Sequence, residues 1–455
     1  MTRKHWIAAL AVMTFANPAA AQPKDRPPTG CAPRPPVYDI VPKTEFMDPA
    51  MRGIQTGISP QMRATATDIG RWPGFVSLRF VAPEGKVFDD GGGKQADILH
   101  WCGGALIARN WVLTAAHCVF DGETGKPRVA YDPAARAWTS TAELEWLGLP
   151  AGSRLEILEN TSDLANVTAS SLRAAPQANA VVTHPDFYKG RAYANDIALI
   201  RLDPATPATG YLMKFSASRA ADPDNVKGRA MLGVGYGLTD LADPMKRSDD
   251  ASARIDAASA AFVVFKGSDG RRVHAGTPFL QEGVVRKWED AACRTHLMPN
   301  PAPGETWANN EICALGIGRH DPADRSPTVA DSCSTDSGGP LVQLDRDNCP
   351  VMSALVSRGP NVCGQSAPGI YTRISAHYPW IKQVTGTAKL MAVTDGTEIA
   401  PAGAVYSLAL AQGEVPALGG LTLSKNPAEA QRVGDVFQLN IRAGSAGGVL
   451  GALGF

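Results

Sequence analysis

Ten residues, Asp331-Ser332-Cys333-Ser334-Thr335-Asp336-Ser337-Gly338-Gly339-Pro340, constrain this chain more than any other stretch. The two glycines permit a sharp turn and close backbone approach, and the proline ends it. A turn of this kind projects Ser337. A serine hydroxyl is a weak nucleophile that needs such a turn, backbone N–H groups free to hold an oxyanion, and a base from elsewhere in the chain. An ordinary polar turn around a structural serine has a similar look, and a short motif alone has false positives.

Two further stretches sharpen the reading. They are Trp111-Val112-Leu113-Thr114-Ala115-Ala116-His117-Cys118 and Asn195-Asp196-Ile197-Ala198-Leu199-Ile200-Arg201-Leu202. Histidine, aspartate and serine then occur in the chain order of one of the known triad-bearing folds. Over roughly residues 60–385 the chain resembles the trypsin/chymotrypsin-like serine peptidases. The resemblance implies an all-β fold of two six-stranded antiparallel β-barrels with a short C-terminal helix. It implies a triad of His117, Asp196 and Ser337, with the backbone N–H groups of Thr335 and Ser337 as oxyanion hole. It also pairs Cys102 with Cys118, Cys293 with Cys313, and Cys333 with Cys363.

The same resemblance addresses specificity. Asp331 lies six residues before Ser337, where trypsin-like members carry the acid at the base of the primary pocket. A buried carboxylate there wants a cation, which an Arg or Lys side chain of the substrate supplies. Ser332 adds a hydroxyl at the base, and Gly359 and Gly369 match wall positions that must be small. Ser357-Arg358-Gly359 looks like the substrate-binding strand, with Arg358 where the family usually has Trp. That exchange predicts a less apolar subsite tolerant of acidic side chains. Thr335 stands where most of the family has Gly, and Tyr236 where it has Trp. The family's Ile-Val-Gly-Gly activation sequence, whose new ammonium pairs with the acid beside the nucleophile (here Asp336), is absent near Gln61–Ala64. Arg63-Ala64 and Arg52-Gly53-Ile54 are the candidate cut sites.

The 455 residues can bury a large core and leave room for more than one domain. Lys and Arg balance Asp and Glu at 44 each, so nothing implies a nucleic-acid or anionic-membrane partner. Arg3 and Lys4, an apolar run from Trp6 to Phe15 and Ala19-Ala20-Ala21 read as a signal peptide over 1–21. The run is too short to span a bilayer. Export, secreted or periplasmic, follows, and with it a disulfide-permissive compartment. Residues 22–60 read as a proline-rich leader or propeptide. Eight cysteines in an exported chain favour a fourth bridge, Cys31–Cys349.

Phe75-Val76-Ser77-Leu78-Arg79-Phe80 alternates as a half-buried strand should. Residues 82–98 and 243–275 read as polar insertions, the first a hairpin tip and the second mildly helical over 248–261. The peptidase domain is placed at 61–385. Residues 386–455 form an extension, read as a small β-rich appendage or a poorly ordered tail. The expected function is an exported endopeptidase cutting proteins or peptides after Arg or Lys, with no cofactor and no metal. The alternatives are a catalytically silent binding protein on the same scaffold and, less compatible with Asp331, a serine esterase.

Overall fold

The computed structural model describes residues 72, 74–89, 93–167, 175–222, 230–238, 262–278, 280–301, 308–316, 331–345, 349–360, 363 and 367–399, with four short strands between 421 and 443. The expected signal segment and leader, with Cys31 and both candidate cut sites, and residues 248–261, expected to be mildly helical, lie outside the described residues.

Two antiparallel sheets carry the fold. The first contains β1 (Phe75–Val81), β2 (Ile98–Ala108), β3 (Trp111–Thr114), β4 (Arg154–Glu159), β5 (Ala178–Thr183) and β6 (Ala198–Leu202). Their order is β5-β6-β3-β2-β1-β4. The second contains β7 (Ala230–Gly235), β8 (Gln281–Lys287), β9 (Glu311–Gly316), β10 (Pro340–Leu344), β11 (Pro350–Arg358) and β12 (Gly369–Arg373). Here the order is β10-β7-β8-β9-β12-β11, and pairing of β10 with β11 closes a six-stranded barrel. The first sheet curls without closing. The outer edge of β4 is taken by a hairpin strand, Ala137–Ser140, which occupies the bonds that closure on β5 would need. The fold is the chymotrypsin-like double barrel, with few helices: α1 (Asp290–Leu297) and α2 (Ile374–Thr385) are the two α-helices among the described residues.

Strand β1 departs from the half-buried expectation. Ser77 and Arg79, its polar members, are each 1% exposed. His100, packed edge-on against Tyr236, lies over Ser77, and Glu156 lies against Arg79, while the second insertion adds a hairpin, Val263–Lys266 and Arg272–Ala275, that pairs in parallel with β2. Both faces of β1 are therefore covered, and each polar side chain has a partner. Ser77 Oγ lies 2.7 Å from His100 Nδ1, and the Arg79 guanidinium donates to Glu156 Oε2 at 2.9 Å. A buried ion is tolerable only when paired in this way.

A second buried charge cluster locks the end of the closed barrel. Arg373, fully buried where β12 runs into α2, donates to Asp222 Oδ2, Asp290 Oδ1 and Asn309 Oδ1, each at 3.1 Å, and to the Glu311 carbonyl at 3.2 Å. Arg219 and Ser375 also bond Asp222, and Lys287 bonds Asp290. One guanidinium thus ties the start of α1, the start of β9 and the start of α2 together.

The chain does not leave the domain at 385. Residues 392–393 pair in parallel with Lys214–Ser216, with Phe215 and Ala217 donating to Met391 and Val393 carbonyls. Further on, Leu421–Leu423 pairs with Ile441–Ala443, and Ala430–Val433 with Val436–Leu439. The alternating run that begins at Val436 is a strand.

Removing the Arg373 guanidinium leaves two buried carboxylates short of a cation, a change that typically costs about 3–5 kcal/mol. Arg373→Met is expected to lower the unfolding free energy by that order in urea titration; a loss below about 1 kcal/mol would show the cluster to be weakly coupled to the fold.

Candidate active site

His117 sits on a single 3-10 turn, Ala116–Cys118, directly after β3. Two contacts fix that turn to β2. The Cys102–Cys118 disulfide spans 6.3 Å between Cα atoms, and Trp101 Nε1 donates to the Cys118 carbonyl at 2.9 Å. Asp196 lies two residues before β6, which pairs with β3, so adjacent strands deliver the two side chains to the same edge. His117 Nδ1 is 2.7 Å from Asp196 Oδ2, and the His117 N–H donates to Oδ1 at 2.9 Å. Ser357 Oγ donates to Oδ2 at 2.6 Å.

Asp196 is completely buried. Burial raises its pKa, but His117 and the Ser357 hydroxyl outweigh it and hold the carboxyl below its ordinary value. An ionised carboxylate only accepts hydrogen bonds, so Nδ1 carries the imidazole proton. Nε2 is left with a lone pair. This is the tautomer a general base requires.

Ser337 and His117 line the same cleft, a space of about 470 Å³. The turn before β10 is held from both sides: Gly103 N–H of β2 donates to the Ser337 carbonyl at 2.8 Å, and Gly338 N–H to the Val356 carbonyl at 2.7 Å. Gly338 has φ +76°, and a Cβ there would fall 2.2 Å from Thr114 Oγ1. Only glycine fits. No acceptor among the described residues takes the N–H of Thr335 or Ser337, the two donors expected to form an oxyanion hole.

Thr335 adopts φ +72°, the left-handed conformation that β-branched residues avoid. Its Oγ1 is buried with no hydrogen-bond partner among the described residues. The conformation survives because its neighbours over-determine it. His100 Nε2 lies 3.2 Å from the Thr335 carbonyl. Burial pushes the His100 pKa down to about 3, so the ring is neutral. A carbonyl can only accept, so Nε2–H donates to it and Nδ1 accepts from the Ser77 hydroxyl. The Cys333–Cys363 bridge holds the other flank. His100 was missed at the sequence level; a polar residue inside the otherwise apolar strand β2, where the register sets it opposite Arg79, was the available signal.

Asp336 is fully buried, and its carboxylate accepts from Gly237 N at 2.7 Å and Cys333 N at 2.9 Å. Burial raises its pKa to about 7, against those two bonds, and Asp331 adds to the rise. Among the described residues no cation pairs with it. Gly235 and Gly237 make room for it, since a Cβ on either would fall within 2.3 Å of its side chain.

The expected pocket residues gather beside this loop. Ser332, Ser357 and Gly359 line the cleft. Asp331 lies below the wall, fully buried, with Oδ1 accepting from Ser332 N at 2.9 Å. A Cβ on Gly369 would stand 3.0 Å from Asp331 Oδ1 and 3.1 Å from the Tyr371 hydroxyl, so Gly369 must be small. A Cβ on Gly359 would meet nothing within 4 Å, which leaves the wall open there. Burial and Asp331 raise the Tyr371 pKa, keeping the phenol protonated beside Ser332.

All three disulfides implied by the resemblance form, including Cys293–Cys313. Cys349 is disulfide-bonded, while Cys31, its expected partner, lies outside the described residues. The Cys102, His117 and Cys118 ligand atoms lie close together, but both sulfurs are consumed in a disulfide, so the group is a poor metal site.

Comparison with known proteins agrees with this geometry. The trypsin family profile matches residues 84–143 and 267–381, segments that contain His117, Asp331 and Ser337. A mosquito protein, the CLIP domain-containing serine protease B8 of Anopheles gambiae, is 26% identical over 298 residues. That alignment covers 63% of this chain and 59% of the relative. A double barrel with a buried carboxylate–imidazole pair and a serine turn facing one cleft, in a chain whose residues 84–143 and 267–381 match the trypsin profile, is similar to the trypsin-like serine peptidases.

Proposed function

We propose that this chain is an exported serine endopeptidase that cuts proteins or peptides after Arg or Lys. The observation that carries the reading is the His117–Asp196 pair, in the tautomer that leaves Nε2 basic, in the same cleft as Ser337. Ser337 Oγ attacks the scissile carbonyl and His117 Nε2 takes its proton. The tetrahedral oxyanion accepts from the Thr335 and Ser337 N–H groups. His117 then gives the proton to the departing amine, leaving an acyl-Ser337 that water hydrolyses by the reverse proton path. Asp196 stabilises the imidazolium throughout.

Asp331, buried one residue beneath cleft-lining Ser332, supports the cationic side-chain preference. Export rests on the sequence of residues 1–21 and fits the disulfides. No helix among the described residues is long and apolar enough to cross a membrane. Activation fits Asp336. A carboxylate with no described cationic partner and a raised pKa is the natural counter-ion for an ammonium released by cleavage of the leader.

One observation favours a second reading, a catalytically silent binding protein: Thr335 places a strained β-branched residue at one oxyanion donor. A serine-directed fluorophosphonate distinguishes the two. The endopeptidase labels after leader removal, and Ser337→Ala does not; absence of labelling in mature wild type favours the silent scaffold. On short peptides, Arg or Lys before the cut is expected to exceed Phe by at least tenfold in kcat/KM, roughly 1.4 kcal/mol. A preference for Phe removes Asp331 from its assigned role.

Asp336 gives the precursor a pH signature. Its folded pKa of about 7 lies above the unfolded value near 3.9, so the folded state binds the extra proton between these limits. Stability of the uncut Ser337→Ala protein should therefore fall as the pH rises from about 4 to about 7. Asp336→Asn should flatten that part of the urea-midpoint profile, and an unchanged slope would exclude Asp336 as its source. Thr335→Gly relieves a left-handed side chain, worth roughly 1–2 kcal/mol. The expected result is a higher urea midpoint without loss of kcat/KM, and a lower midpoint would contradict the strain.

A further inference from the structure

Arg358, the last residue of β11, lines the cleft one position after Ser357. Its guanidinium stands over the Tyr193 ring at 5.9 Å, and Tyr193 in turn stacks edge-on to His117 at 5.6 Å. Two ring contacts therefore separate the cation from the imidazole, roughly three residues of extended peptide. Behind it sits Glu311, at the start of β9 and 1% exposed. Arg358 Nη1 is 2.8 Å from Glu311 Oε1, an ion pair in which neither atom makes a hydrogen bond among the described residues, and Arg191 pairs with the other carboxylate oxygen. Arg191 is not part of the cleft wall.

One carboxylate thus serves two guanidinium groups, and the cluster keeps one net positive charge. Charge pairing with a buried acid and the Tyr193 ring restrain Arg358, which lowers the side-chain entropy to be lost when a ligand arrives. The opposite charges are kept apart from it. Asp121 and Glu123 also face the cleft, with Arg128 3.5 Å from Asp121, but Gly122 abuts Tyr188, and Tyr188 and Tyr193 stand between these acids and Arg358. The cleft is polarised along its length, with the cation on the side that carries the Ser357–Gly359 edge.

We propose that Arg358, held by Glu311 and left under-neutralised because Arg191 shares that carboxylate, is a specificity-determining residue that selects an acidic side chain two to four residues before the cut. The inference rests on the endopeptidase reading and adds a second selected position to the Arg or Lys at the cut. Arg358 touches the substrate side chain and takes no part in bond making.

The test is a set of peptides with Arg at the cut and Glu, Gln or Lys at each of the three positions. Because the readout is a ratio of kcat/KM values on one preparation, the fraction of folded or mature enzyme cancels. At one position Glu should exceed Gln by about threefold to tenfold, with Lys lowest. The ratio should shrink between about 50 and about 500 mM salt. Arg358→Gln should bring it to about one. Arg191→Gln, outside the cleft, should reduce it by returning Glu311 wholly to Arg358. Equal Glu and Gln rates at all three positions, or a ratio unchanged in Arg358→Gln, overturns the proposal. If no peptide is cut at all, the endopeptidase reading fails separately. The same Glu/Gln pair is then read as Kd by fluorescence anisotropy on Ser337→Ala, where equal affinities overturn the acidic subsite.

Discussion

The buried Asp196 carboxylate joins the two halves of the molecule. Its His117 partner comes from the first sheet, and its Ser357 partner from the last strands of the second. A charge removed from water this completely is stable only if every lone pair is engaged. That requirement sets the spacing between the sheets at the cleft. Other cross-sheet bonds follow the same seam: Gly103 N–H to the Ser337 carbonyl, and His100 to the Thr335 carbonyl. The approach is so close that a Cβ on Gly103 would fall 2.9 Å from the Gly339 Cα. Glycine at 103 is thus a condition for the sheets to meet where the side chains need them.

Strain at Thr335 is borne by the same seam. The peptide after Thr335 is oriented by a neutral, fully buried histidine that Ser77 holds in one tautomer. In a glycine-bearing loop that bond would merely choose among accessible conformations. Here it also opposes a steric preference against φ +72°. The inserted hairpin 262–275 lies next to this seam: its second strand pairs with β2 at Ile98 and Leu99, beside His100, and its Phe262 and His274 rings pack at 4.8 Å.

Much of this was legible in the residues themselves. His117, Asp196 and Ser337, each at the end of an apolar run and in a known chain order, carried the resemblance, and the resemblance implied the fold and the cleft. The three described bridges followed from resemblance, and the geometry agrees. Long-range partnerships were not legible. Nothing local couples Arg79 to Glu156, or Glu311 to residues 191 and 358, because charge pairing across sheets depends on register and on which insertion covers which face. The alternation of β1 predicted one wet side; His100 and Glu156 on the neighbouring strands, with Tyr236 against His100, fill it.

Three acids, Asp196, Asp331 and Asp336, are each fully buried within a short distance of the same loop. They differ in what stabilises the charge. Asp196 has its imidazole in place, so its pKa falls. Asp336 has only backbone N–H groups among the described residues, so its pKa rises. On the proposed reading the two remaining cations arrive from outside the described fold, an ammonium from the processed leader and a side chain from the substrate. On that reading the site is completed only when both are present, since burial opposes ionisation of Asp336 in a low-dielectric interior. On the proposed reading, requiring a cation at Asp336 before the Ser337 loop is fully stabilised would couple processing of the leader to competence of the cleft.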